Sequence, residues 1–134
     1  RMEPGDPDLM ATAVRETLEE TGIDLASEGR MLGTLDDIHP RTPALPPILV
    51  RPFVAVVAGE ARLTPSREVA GHAWVPLPAL LDETNWGTAP IAIRTLGVQV
   101  RPVFRFAGLQ VWGMTEYMLR QLVTRYRETP GVDG

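Results

Sequence analysis

Met10, Val14 and Leu18 recur every fourth position, which places them on one side of a helix, with polar residues on the other. Asp6 is a good N-cap and Pro7 suits the first helical position. Asp8 favours the positive end of the helix dipole, and Gly22 can take the left-handed conformation that ends the turn. The spacing therefore predicts a helix over 7–21. Beyond it the pattern changes to strands and loops. Residues 30–38 read as a strand, and 39–47 form a loop stiffened by four prolines, which no central strand tolerates. Residues 48–57 are almost continuously apolar and rich in β-branched side chains. That run predicts a buried strand near the centre of the sheet, interrupted or bulged at Pro52.

The second half is punctuated more finely. A turn at Gly59-Glu60 leads to a short strand over 62–64 and another over 68–75, where Ala73 and Val75 alternate with His72 and Trp74. Pro76 opens a short helix that reaches Leu81. Strands over 91–96 and 98–106 make a hairpin around Gly97. Residues 115–127 are helical, because Met118, Leu119, Leu122 and Tyr126 recur at helical spacing while Arg120, Gln121, Arg125 and Arg127 face solvent. The expected class is α/β (α+β), with a mixed β-sheet packed between the first and last helices.

Composition narrows the class of function. A chain of 134 residues with 44% hydrophobic content can bury one core, so residues 1–134 are most simply a single domain. With no cysteine, a disulfide scaffold and a thiolate metal site are excluded, and a cytoplasmic setting is expected. No apolar run is long enough to span a bilayer and no leader-like segment opens the chain, so no membrane partner is expected. The net charge of −4 disfavours nucleic acid, and a polyphosphate ligand would need cations or local arginines to offset repulsion.

The chemistry concentrates in Arg15-Glu16-Thr17-Leu18-Glu19-Glu20-Thr21-Gly22-Ile23. At about 100° per residue, Glu16, Glu19 and Glu20 fall within roughly a third of the helix circumference, opposite Met10, Val14 and Leu18. Three like charges this close repel, and a hard divalent cation with oxygen ligands resolves the repulsion. Arg15 precedes Glu19 by one helical turn and can pair with it. A solvated charged face is the plain alternative for any glutamate-rich helix.

This segment resembles the second half of the Nudix box, Arg-Glu-apolar-any-Glu-Glu-any-Gly-apolar, and departs from it only at Thr17. The resemblance implies a Nudix fold and hydrolysis of a nucleoside diphosphate linked to another group. It also implies Mg²⁺ or Mn²⁺ as cofactor and a nucleoside diphosphate-type small molecule as substrate. Carried over by position, Arg15, Glu16, Glu19 and Glu20 form the catalytic set. Glu16 and Glu20 are its principal metal ligands, and Glu19 is a further ligand or a water-mediated contact.

Shorter segments are similar to the coenzyme A pyrophosphatase branch of that family. They are Asp6-Pro7-Asp8, Thr12-Ala13-Val14-Arg15-Glu16, and Trp112-Gly113-Met114-Thr115 after Pro102-Val103-Phe104-Arg105-Phe106. Leu63-Thr64-Pro65-Ser66-Arg67-Glu68-Val69 with Trp74-Val75-Pro76-Leu77 looks like the strand that leads into the family's Val-Pro-Leu corner. For coenzyme A or an acyl-CoA the implied products are 3′,5′-ADP and 4′-phosphopantetheine. Two alternatives stand beside this one: a Nudix hydrolase for another substrate, such as ADP-ribose or a nucleoside triphosphate, and an inactive fragment or non-catalytic binding module. The box's upstream glutamate is replaced by Pro7, and its glycines would precede Arg1. The resemblance therefore implies a Nudix domain lacking its N-terminal part and the first strands of its sheet. Weak or no turnover and a tendency to self-associate, with a homodimer allowed, are the expectation. Activity should recover when roughly 50 upstream residues of a typical domain are restored.

Other residues carry two readings each. Glu68 is a candidate general base or extra metal ligand, against a solvent-facing strand glutamate. Glu116 departs from the small residue usual after the Trp-Gly-apolar-Thr run and reads as a favourable anion in the first turn of a helix. His39 and His72 lack the partners of a zinc site; His39 could touch substrate or be a plain loop residue. Trp74, Trp86 and Trp112 could stack on a base but are more ordinarily anchors. Arg41, Arg51, Arg94, Arg101 and Arg105 are candidate phosphate clamps.

Overall fold

The computed structural model describes residues 2, 5, 7–39, 49–59, 63–64 and 72–130, and these divide into two compact units, Arg1–His72 and Ala73–Gly134. Each unit combines helices with an antiparallel sheet, so the α/β (α+β) class stands. The described strands form two antiparallel sheets, one of two strands and one of three, where the hydrophobic pattern predicts a single mixed sheet. Among the described residues no helix is long and apolar enough to cross a membrane.

The first unit opens with α1, Leu9–Thr21. Its N-cap is Asp8, whose Oδ1 accepts from the Ala11 N–H at 2.8 Å; Asp6, the expected cap, lies outside the described residues. Gly22 ends the helix as expected, with φ 77° and its N–H donated to the Leu18 carbonyl at 2.9 Å. A single turn, α2 (Leu25–Glu28), follows. It is capped by Asp24 and has no counterpart in the periodicity, being too short to register one.

Strand β1 (Gly29–Thr34) pairs with β2 (Phe53–Val57), Gly29 opposite Val57 and Thr34 opposite Phe53. The register slips between Met31 and Gly33, so the bulge sits in β1 and not at Pro52. Pro52 instead marks where β2 begins, and its carbonyl accepts from the Leu35 N–H at 3.0 Å. Beyond it the two chains rejoin at an isolated bridge, Ile38 to Val50. The expected strands over 30–38 and 48–57 are thus shorter, and β2 pairs with β1 alone among the described residues. Its Val56 is exposed, so the run is not buried on both faces.

In the second unit, residues 73–76 have no regular structure, and α3 (Leu77–Leu81) starts after Pro76 as its proline predicts. The strand expected over 68–75 lies outside the described residues up to 71 and is absent from 72–75; residue 62 of the 62–64 strand is likewise outside, and 63–64 are irregular. A 3₁₀ turn, Glu83–Asn85, leads into β3 (Trp86–Ile93), which pairs with β4 (Gly97–Phe106) from Trp86 opposite Phe104 to Ile93 opposite Gly97. The turn is Arg94–Leu96, three residues that the pattern predicts as strand, and Gly97, the predicted turn residue, opens β4.

β4 then pairs with β5 (Leu109–Trp112) through a two-residue turn in which Ala107 and Gly108 both have positive φ, the geometry that suits strand twist. Pro102 can occupy the middle strand because β5 ends opposite Val103, one residue short of it, so no ladder bond on that side is lost. The final helix, α4, runs Gly113–Glu128.

Alternation along the hairpin gives it two apolar faces. One carries Ala89, Ile91 and Val103, with Ile93 packed against them. The other carries Trp86 and Phe104, ring centroids 4.7 Å apart and tilted by 50°, and Phe104 is fully buried. The Trp86 indole N–H donates to the Leu80 carbonyl at 2.9 Å, tying α3 to the hairpin. Farther along that face Val98 and Val100 are exposed.

Candidate metal centre

The box residues sit on a helix fixed at both ends, by the Asp8 cap and by Gly22. Its C-terminal end is also gripped from the side. The Thr64 N–H donates to the Thr21 carbonyl at 2.6 Å, and the Thr21 hydroxyl donates to the Thr17 carbonyl at 2.6 Å while accepting from the Ile23 N–H at 3.3 Å. Ile23 is buried directly behind the cap. The last turn, which carries Glu19 and Glu20, is therefore the best-restrained part of α1.

Glu16 and Glu20 share the row that also holds Asp8 and Thr12, each one turn from the next. Glu16 is half-buried and Glu20 exposed. Glu19 lies beside that row, and Arg15 Nη1 reaches both its carboxylate oxygens at 3.2 Å, the pair expected from the spacing. Packing differs from expectation. Thr12, on the glutamate row, is buried at 6% exposure, whereas Met10 and Leu18 of the supposed packing stripe are 42% and 46% exposed. Periodicity says which residues share a face of a helix; it does not say which face meets a neighbour. Half-burial of Glu16 follows from its place one turn after buried Thr12.

Among the described residues, no three carboxylates or histidines are gathered closely enough to hold a metal between them. The donor chemistry nonetheless fits a hard divalent cation. Mg²⁺ is commonly bound through one or two carboxylates, with waters and substrate phosphates filling the remaining positions, and Glu16 and Glu20 supply two such oxygen donors on one row. The Arg15 pairing leaves Glu19 oriented from within the helix.

The other candidates separate clearly. Arg51 is engaged by Asp37 through Nε to Oδ1 at 2.9 Å and Nη2 to Oδ2 at 3.1 Å, and this two-point contact holds the Asp37 carboxyl below the usual carboxylate range. Arg105 donates to Gln110 at 3.0 Å, and Arg101 Nη2 to Gln99 at 2.9 Å; Arg94 lies in the exposed hairpin turn. Trp86 is an anchor, while Trp74 and Trp112 are exposed. His39 and His72 are exposed and separate. Glu68 and Arg41 lie outside the described residues.

Glu116 does lie in the first turn of α4, but it is 3% exposed and paired with Arg120, whose Nε and Nη2 donate to its two oxygens at 3.1 and 2.5 Å. Arg120 is exposed, as the helical spacing predicts, but its pairing with Glu116 is not foreseen. The signal that could have found the pair was the one-turn spacing of a glutamate and a following arginine.

The NUDIX domain family model matches residues 1–95, more than half of the chain, and the protein belongs to that family. Membership carries the family's general chemistry: Nudix enzymes are pyrophosphohydrolases that hydrolyse small nucleoside diphosphate derivatives and generally use divalent metals such as Mg²⁺ or Mn²⁺. No curated protein matches the chain.

Proposed function

We propose that this protein is a Nudix diphosphatase that cleaves the diphosphate linkage of coenzyme A or an acyl-CoA, giving 3′,5′-ADP and 4′-phosphopantetheine. One observation carries the reading: Glu16 and Glu20 share a row on a helix whose final turn is clamped by Gly22 and Thr64, with Arg15 steadying Glu19 alongside. The coenzyme A assignment is supported by Asp6-Pro7-Asp8, Thr12-Ala13-Val14-Arg15-Glu16 and Trp112-Gly113-Met114-Thr115. The NUDIX match crosses the boundary between the two units, which supports treating them as parts of one domain. Absence of cysteine supports a cytoplasmic setting.

In this reading Glu16 and Glu20 would hold Mg²⁺ or Mn²⁺. When bound, the cation supplies charge neutralisation at the diphosphate and lowers the pKa of a coordinated water. Glu19, oriented by Arg15, is the group placed to hold water or to complete the ligand set. No nucleophilic side chain is required, because phosphoryl transfer of this kind depends on positioning and on electrostatic stabilisation.

The test is product analysis with coenzyme A, ADP-ribose and a nucleoside triphosphate, each with Mg²⁺ and with Mn²⁺, on the parent chain and on Glu16→Gln and Glu20→Gln. Of the three, coenzyme A should be cleaved fastest, if only weakly by residues 1–134 alone, and both variants should lose that activity and bind Mn²⁺ more weakly with an unchanged circular dichroism spectrum. Cleavage of ADP-ribose in preference to coenzyme A would move the protein to another branch. Parent-like Mn²⁺ titration in both variants would remove the metal assignment.

A further inference from the structure

The second unit contains a groove of about 520 Å³ between one face of α4 and the β3–β4 hairpin, and no step of the proposed reaction uses it. Its apolar wall comes from Leu80, Trp86 and Pro102, and Val123 lies on the opposite, α4 side. Facing that wall are Arg120 and Arg127, two helical turns apart on α4.

Both guanidinium groups are held in place. Glu116 takes Nε and Nη2 of Arg120, which fixes the guanidinium plane without consuming the Nη1 hydrogens. The Leu81 carbonyl accepts from Arg127 Nη2 at 2.7 Å. The order of burial decides the sign of the site. The Glu116 side chain is 4% exposed and that of Arg120 is 51% exposed, so an incoming group meets the guanidinium before the carboxylate. Glu83 also lines the groove but is exposed, where water screens its charge. Oriented donors opposite an apolar wall suit a ligand with an aromatic or aliphatic body and one anionic group. The volume falls within the roughly 300–1,000 Å³ of small-molecule clefts.

We propose that this groove is a binding site for a small organic anion, a carboxylate or phosphate monoester with an apolar body, separate from the Glu16–Glu20 centre. The site does not depend on the diphosphatase reading.

The experiment is a ¹H–¹⁵N NMR titration of the full chain in metal-free buffer with phenyl phosphate and benzoate, using phenol and inorganic phosphate as controls. At least one aromatic anion should bind saturably, shifting the Trp86 indole N–H and the amides of Thr88 and Val123. Both controls should bind at least about tenfold more weakly, as expected when one half of the recognition is removed. The tighter of the two anions identifies the charged group. Arg127→Met should weaken binding about tenfold. Thr88→Trp should abolish it by filling the groove. Glu16→Gln should leave the affinity unchanged, so the metal centre and this site stand or fall separately. Phenol binding as tightly as the anions would overturn the proposal. So would parent-like affinity in Arg127→Met and Thr88→Trp, or an absence of shifts at Trp86, Thr88 and Val123.

Discussion

Thr64 is pressed against Gly22: its Cβ lies 2.8 Å from the place a Cβ on Gly22 would occupy, and its backbone N–H bonds the preceding carbonyl of Thr21 at 2.6 Å. Two separate constraints therefore meet at the glycine of the box. The residue must adopt φ 77°, and it must have no side chain.

Gly22→Ala should destabilise the protein by about 2 kcal/mol or more, since the left-handed backbone alone costs an L-residue about 1–2 kcal/mol and Thr64 must also move. Urea denaturation measures it. A loss below about 0.5 kcal/mol would show that the Thr64 contact yields freely.

Divalent metal should stabilise the folded chain by an amount that rises with the logarithm of its concentration above the dissociation constant. At Mn²⁺ one hundred times its dissociation constant, a single native-state site adds about 2.7 kcal/mol. Thermal melts with and without Mn²⁺ read this directly. Glu20→Gln should shrink the increment, whereas Glu28→Gln, outside the box, should not.

The Asp37–Arg51 contact predicts a pH dependence with a definite sign. The Arg51 hydrogen bond holds the Asp37 pKa below its ordinary 3.8, with desolvation opposing and the charges of Arg51 and His39 assisting. A carboxylate depressed on folding contributes stability that is complete above 3.8 and is lost as pH falls through the lower folded value. Asp37→Asn should remove that part of the acid transition. NMR titration of the Asp37 carboxyl carbon should place its midpoint below that of the exposed, unpaired reference in a model peptide.

Breaking the Glu116–Arg120 pair from the arginine side should cost about 2 kcal/mol, because Arg120→Met strands a buried carboxylate. The double variant Glu116→Leu/Arg120→Met should recover most of that loss, which denaturant midpoints can test. A double variant no more stable than Arg120→Met would mean the carboxylate is not what suffers.

Phe104 is the most enclosed large side chain among the described residues, so Phe104→Ala should cost about 3–5 kcal/mol. Trp86 fluorescence should respond in the same variant, since the two rings touch.

The helix bearing the glutamates, its glycine stop, the Arg15–Glu19 pair, the helix after Pro76, the hairpin and the last helix were all legible in the sequence. Each depends on local spacing or on a residue with restricted backbone geometry. What sequence reasoning missed depended on neighbours distant in the chain. Nothing near Thr12 marks it for burial in preference to Met10 and Leu18. Nothing near Val56 says that its strand would keep one exposed side. β5 escaped notice because Leu109–Trp112 is only four residues long. Of the candidate arginines, only Arg51 in the described set proved to be held by a carboxylate, and Asp37 lies 14 residues from it.

The β3–β4 hairpin turns at Arg94–Leu96, and its register grows outward from Ile93 and Gly97 to Trp86 and Phe104. Chains zipped from a tight turn have little loop-closure entropy to overcome at each step, and hairpins form in about 1–10 μs. β5 and α4 follow β4 directly in the chain, so no distant segment has to be found for them to add. The rings of Trp86 and Phe104 meet only at the last rung, which makes their contact a late event. A fluorescence signal from that pair should report completion of the hairpin, not its start.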